Sequence, residues 1–98
     1  MTIKKDKNGA ELTLSLEGRL DTTTAPQLET VVTGVLGGIN SLTMDFENLE
    51  YISSAGLRVL LTAQKQMNRQ GTMTVCHVNE TIMEIFEVTG FVDILTIE

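Results

Sequence analysis

Asp45-Phe46-Glu47-Asn48-Leu49-Glu50-Tyr51-Ile52-Ser53-Ser54-Ala55-Gly56-Leu57-Arg58-Val59-Leu60-Leu61 is the stretch whose reading decides the fold. It predicts a strand edge, a tight turn of small hydroxyl residues, and then an amphipathic helix. Two serines therefore stand at a helix N-terminus, where unpaired backbone N–H groups and the macrodipole favour negative charge. Leu57, Leu60, Leu61, Gln64 and Met67 trace the inward face of this helix, and Gly71 closes it. Val59 and Thr62 are expected on its outward face.

Upstream, Glu11 to Glu17 alternates apolar and polar residues, the period of a half-buried strand. Thr2 to Lys7 supplies a partner strand, joined through the turn signal Asn8-Gly9. Thr22-Thr23-Thr24 offers N-caps and Pro26 suits a first helical turn. Leu28, Val31, Val32, Val35 and Leu36 follow at helical spacing, and Gly37-Gly38 stops that helix. Ser41 to Phe46 reads as the next strand. Downstream, Thr72 to Val78 shows little alternation and is predicted to be a central strand covered on both faces. Asn79 or Thr81 caps a short helix facing inward through Ile82, Ile85, Phe86 and Thr89. Gly90 ends it, and Phe91 to Ile97 forms a last strand. The order β-β-α-β-α-β-α-β predicts an α/β fold, with a mixed sheet built from βαβ crossovers and an opening hairpin.

The composition bounds the function. Ninety-eight residues make one domain, residues 1–98, and a formal charge of −6 argues against a nucleic-acid or anionic-membrane footprint. No segment has the apolar length of a membrane span, and no signal peptide follows Met1, so a cytoplasmic protein without membrane insertion is expected. The single cysteine, Cys76, is expected to be a buried, inert thiol. His77 shows no metal-ligand partner at a recognisable spacing and receives no role. Asp45, Glu47 and Glu50 read as a solvated strand end, with nothing to separate a general acid from a base. No glycine-rich phosphate loop is present. Catalytic residues, metal ligands and cofactors are therefore none.

The Ser53-Ser54 turn is the first candidate site. A serine before a helix is the commonest N-cap and needs no further function. Two details point beyond the cap. Gly56 in the first turn costs helix stability and removes bulk from the surface. Arg58 lies four residues after Ser54, so it shares a face with it and can pair with a phosphate there. The second candidate is Gly18-Arg19-Leu20-Asp21-Thr22-Thr23, a strand-to-helix loop whose Asp21 can reach the same sheet edge.

With these residues in view, the sequence resembles the anti-sigma-factor antagonists, small single-domain members of the STAS family. The likeness runs over essentially the whole chain. It rests on Gly18-Arg19-Leu20-Asp21, on Asp45-Phe46-x-x-Leu49-x-Tyr51-Ile52-x-Ser54-x-Gly56-Leu57, and on Phe86-Glu87-Val88-Thr89-Gly90-Phe91. The resemblance implies a STAS fold, with helices mainly on one face of a mixed sheet. It also implies partner switching, in which the domain binds an anti-sigma factor of the GHKL serine-kinase type and frees the sigma factor. Phosphorylation then breaks the complex and a phosphatase restores it, so the domain is a binding module and substrate rather than an enzyme.

The family's usual acceptor position falls here on Ala55, with Ser53 in place of the usual acidic residue and Ser54 just before the acceptor. Three readings stand: Ser54 takes over as acceptor, Ser53 does, or the protein binds unphosphorylated. The implied partner surface comprises Asp21, Ser53, Ser54, Ala55, Arg58, Val59 and Thr62. Arg58 stands where relatives often have a small residue, and the chain ends before the C-terminal helix of many relatives. An alternative is a STAS subunit docking on the ATPase of a lipid-transport ABC system. An enzyme acting on a small phosphorylated metabolite has only the helix N-terminus behind it.

Overall fold

Thr2–Asn8 (β1) and Glu11–Leu20 (β2) form the opening hairpin, antiparallel, with Lys7 opposite Leu12 and Thr2 opposite Glu17. Gly9 turns it with a left-handed φ of 64°, which glycine adopts without a Cβ penalty. The computed structural model describes residues 1–98 and continues with Ala25–Val35 (α1), Ser41–Ile52 (β3), Ser54–Gln70 (α2) and Thr72–Cys76 (β4). Glu80–Thr89 (α3), a 3-10 turn at Phe91–Asp93 and Thr96–Ile97 (β5) complete it.

The five strands lie in chain order, β1-β2-β3-β4-β5, and every pairing after the hairpin is parallel. Parallel crossovers are right-handed because right-twisted strands feed right-handed helices. Three such crossovers, all stepping the same way across the sheet, deliver all three helices to one face. That face carries Leu12, Leu14 and Leu16 of β2, Leu42, Met44 and Phe46 of β3, and Met73 and Val75 of β4, all buried. Against them the helices bury Leu28, Val32, Leu57, Leu60, Ile82 and Phe86 in one cluster of 24 residues. Phe46 and Phe86 meet there with ring centroids 6.4 Å apart, tilted by 42°. The opposite face has no helix and is polar: Thr13, Ser15, Thr43, Asp45, Thr74 and Cys76 are half-buried by one another.

Several elements differ from their sequence reading. β3 runs on past Phe46 to Ile52. Its pairing with β2 slips by one residue between Ser15 and Glu17 and again between Gly18 and Arg19. Each bulge inserts a residue and flips the alternation. The buried positions of β3 therefore go from 42, 44 and 46 to 49 and 52, and the period of two breaks. Asp45 and Glu47 thus lie within the strand rather than at its end.

β4 ends at Cys76, because His77 takes a positive φ of 57°. It alternates buried and half-exposed residues, so only its helix-side face is fully covered, which corrects the expectation of a doubly covered strand. The segment after Gly90 first makes a 3-10 turn and pairs with β4 only through Thr96 and Ile97. On α3, Thr89 is exposed and returns its hydroxyl to the Ile85 carbonyl.

Candidate functional site

The parallel register sets Leu20, the last residue of β2, beside Ile52, the last of β3. The turn into α1 and the turn into α2 therefore emerge side by side at one sheet edge. The Ser53 N–H donates to the Leu20 carbonyl at 2.9 Å, stitching the two turns together. Gly56 sits directly above this seam. A Cβ there would lie 2.7 Å from Leu20 Cγ and 2.8 Å from Ile52 Cγ1, so the glycine lets α2 approach the strand ends. Gly56 is buried, which corrects the reading that it clears bulk from the surface.

Ser53 is the N-cap of α2, in extended conformation, with its Oγ accepting from the Gly56 N–H at 3.4 Å. Ser54 is the first helical residue and is exposed, and its hydroxyl takes no partner within the fold. The N–H groups of Ser54 and Ala55 are likewise free of intramolecular partners, which leaves two donors at the positive end of a 17-residue helix. Arg58 and Thr62 lie exposed on the same stripe, and the Thr62 hydroxyl donates to the Arg58 carbonyl at 3.1 Å. Ala55 is half-buried. Val59, expected to face outward, is only 3 % exposed and packs in the core, so it forms no part of this surface. It falls on the stripe that α2 turns inward, with Gly56, Leu60, Ala63, Gln64 and Met67 at helical spacing.

Asp21 organises the adjoining turn. Its Oδ1 accepts from the Thr23 N–H at 3.0 Å, the Thr23 hydroxyl at 2.7 Å and the Thr24 N–H at 3.2 Å. The Asp21 N–H in return donates to Thr24 Oγ1 at 2.8 Å, and the Asp21 carbonyl accepts from the Ala25 N–H at 2.8 Å. This reciprocal arrangement works as a capping box one turn ahead of α1. Donation from the Thr23 hydroxyl, more than any other contact, holds the Asp21 carboxyl below its ordinary value, with the two N–H groups adding to it. Thr24, the residue before α1, makes no side-chain cap of its own.

The sequence reading placed Arg19 in the second candidate loop but gave it no role. Its guanidinium lies 4.6 Å from the Tyr51 ring centroid and 3.9 Å from the Asp21 carboxylate, and it spans both turns. Arg19 and Tyr51 are register partners on neighbouring strands, a relation invisible along the chain. Lys65 and Arg69 were missed, although they continue the Ser54–Arg58–Thr62 stripe at helical spacing and are exposed. Together with Arg58 they give α2 three cations and no acid, in a chain of 13 acidic and 7 basic residues.

His77 has partners that its sequence neighbourhood did not reveal. Its Nδ1 lies 2.9 Å from Asp45 Oδ1, and the ligating atoms of Asp45, Cys76 and His77 all fall within 4.8 Å of one another. Cys76 is half-buried rather than buried, and it faces the open side of the sheet. No helix is long and apolar enough to cross a membrane.

A family model described as STAS domain matches residues 2–98. The chain is 34% identical over 99 residues to BtrV of Bordetella bronchiseptica, which is named as an anti-sigma factor antagonist; the match covers 99% of this chain and 85% of BtrV. It is 31% identical over 80 residues to the anti-sigma-B factor antagonist of Staphylococcus aureus, covering 80% of this chain and 74% of that one. Among solved structures, the anti-sigma factor antagonist SpoIIAA in its unphosphorylated form superposes with a TM-score of 0.78 at 15% identity, covering 99% of this chain and 87% of that one. The phosphorylated form of SpoIIAA, a Bacillus cell fate determinant, gives a TM-score of 0.77 at 16% identity, covering 99% and 91%. These two likenesses show the same mixed sheet with its helices on one face.

Proposed function

The chain belongs to the STAS domain family, among its anti-sigma factor antagonists, and from that premise we propose that it binds an anti-sigma factor through the turns at the ends of β2 and β3. The contact surface is Asp21, Ser53, Ser54, Ala55, Arg58 and Thr62, and the partner is an anti-sigma factor of the GHKL serine-kinase type. Binding releases the sigma factor, and the chain acts as a binding module rather than an enzyme. Ser54 is the phosphate acceptor, and a phosphatase resets it.

One observation carries this reading. Ser54 is exposed with an unengaged hydroxyl at the N-terminus of α2, one helical turn from Arg58, whereas Ser53 is engaged as the cap. A phosphate on Ser54 would meet free N–H groups, the helix dipole and a guanidinium, so the fold accommodates it while the docking surface gains a dianion. Ala55, at the family's usual acceptor position, has no hydroxyl to modify.

The test is a pull-down of the tagged protein from its native cells, followed by phosphosite mapping. A serine kinase in the eluate, phosphate on Ser54, and binding weakened about tenfold or more in Ser54→Glu would support the reading. An ABC ATPase in the eluate would overturn it and leave the serines as structural caps.

A further inference from the structure

Asp45, Cys76 and His77 meet away from the serine turn, on the sheet face without helices. Asp45 lies seven residues before Ile52 along β3, a separation of about 20 Å at the rise of a strand. Asp45 and Cys76 are register partners on β3 and β4, on the sheet face without helices. His77 leaves the strand at a φ of 57°, a left-handed conformation that histidine, like asparagine and aspartate, adopts more readily than most residues. That turn returns its imidazole over β3, where Nδ1 reaches Asp45 Oδ1 at 2.9 Å. The Glu47 N–H donates to the same carboxylate at 3.0 Å and fixes its orientation. Three different ligand atoms thus converge within 4.8 Å from two strands and the left-handed turn that follows one of them.

We propose that Asp45, Cys76 and His77 form a binding site for a divalent ion of the zinc class, with its fourth position open to solvent. The donor set selects the metal. A thiolate, an imidazole and a carboxylate suit a borderline-soft ion, while magnesium and calcium call for all-oxygen ligands. Tetrahedral zinc needs ligand atoms about 3.3–3.6 Å apart, given bonds of 2.0–2.3 Å. The 2.9 Å between imidazole and carboxylate therefore has to open by a few tenths of an ångström, and the widest separation in the cluster, up to 4.8 Å, has to close by roughly an ångström. The ion would replace the direct hydrogen bond between these two side chains.

Charge around the site favours a cation. The carboxylates of Glu47 and Glu98 add negative charge around Asp45 and Cys76. Ligation by the thiolate releases the thiol proton to solvent, so affinity falls as pH drops. The site uses none of the residues of the serine turn.

Titration of the untagged protein with Co2+ tests the proposal. One equivalent should produce a thiolate-to-cobalt charge-transfer band that Zn2+ abolishes by displacement and excess Mg2+ does not. Cys76→Ser should lose the band. Asp45→Asn and His77→Asn should each weaken Zn2+ binding at least ~10-fold, with circular dichroism unchanged; asparagine at 77 keeps a side chain that tolerates the left-handed backbone. No band in the native protein, or Zn2+ affinity unchanged in folded Cys76→Ser and His77→Asn, would overturn the site and assign any bound metal to the acidic surface.

Discussion

At the scale of single residues, two glycines show that room, rather than backbone freedom, is the scarce quantity in this fold. A Cβ on Gly71 would lie 1.9 Å from the Asn40 carbonyl oxygen, although its φ of 172° is open to any residue. That carbonyl also accepts from the Thr72 N–H at 3.0 Å, so the clash falls on backbone that starts the β3–β4 ladder. At Gly56 the clash falls on the Leu20 and Ile52 side chains, which can shift. Gly71→Ala should therefore cost more than Gly56→Ala, about 3 kcal/mol or above against roughly 1–2 kcal/mol. Urea midpoints at constant m-value measure both, and a Gly71→Ala variant as stable as the native chain would contradict the close approach.

The Asp45–His77 pair carries a second prediction at this scale. Hydrogen bonding to Asp45 raises the His77 pKa above its ordinary 6.5. Burial alone would raise the Asp45 carboxyl, but the His77 hydrogen bond and the Glu47 N–H outweigh it and bring it below 3.8. The histidine's contribution is fully present below 6.5 and is lost as pH rises through its raised folded value. The aspartate's is present above 3.8 and is lost as pH falls through its lowered value. The pair thus stabilises most between those limits and fades on going alkaline. With chelator present to exclude metal, the native Tm should fall from pH ~5.5 to ~8.5 by more than that of His77→Asn. Parallel profiles would show that the pair contributes nothing.

At the scale of elements, the two helix caps differ in how much they hold. Ser53 caps α2 through one long bond of 3.4 Å. Asn79 caps α3 through Oδ1, which accepts from the Ile82 N–H at 2.8 Å. Its Nδ2 also donates to the Leu49 carbonyl at 3.0 Å, in the bulged part of β3. Removing Asn79 therefore unties α3 from the sheet and leaves a strand carbonyl unpaired. Asn79→Ala should cost about 2–3 kcal/mol and Ser53→Ala about 0.5–1 kcal/mol, both read from denaturant midpoints. Equal losses would mean that the side-chain bridge to Leu49 is not held in solution. Asn79 was legible as a cap from its place before the inward run Ile82–Phe86. Its second bond was not, because Leu49 lies on β3 beyond the end of β4, whose pairing with β3 stops at Asp45 and Cys76.

At the scale of the whole molecule, one core between sheet and helices bears the stability, and the other sheet face contributes little apolar burial. Phe86 joins α3 to Phe46 at the centre of that core, both fully buried. Phe86→Ala should cost about 3–5 kcal/mol, a large part of the 5–15 kcal/mol typical of a small domain. Its urea curve should shift far to lower midpoint, and a shift below about 1 kcal/mol would place the aromatic pair outside the core. Charge is also divided at this scale. The net −6 divides into −9 outside α2 and +3 on α2, whose only charges are the cations Arg58, Lys65 and Arg69 on the stripe that starts at Ser54.

The amino-acid sequence by itself determined which segments become strands and helices, and how most of the helices stop. Local period, caps and glycines carry that information. It also determined the family, through motifs that lie contiguous in the chain. It misjudged β3, β4 and the segment after Gly90, because bulges and edge pairing are set by neighbouring strands rather than by the segment itself. The stitching of the Asp21 and Ser53 turns, the Arg19–Tyr51 stack and the Asp45–Cys76–His77 cluster were decided only in the tertiary structure. Each depends on parallel register between strands some thirty residues apart, as in the 32-residue separation of Asp45 and His77. No local spacing encodes that register, because burial of the sheet face against the helices fixes it.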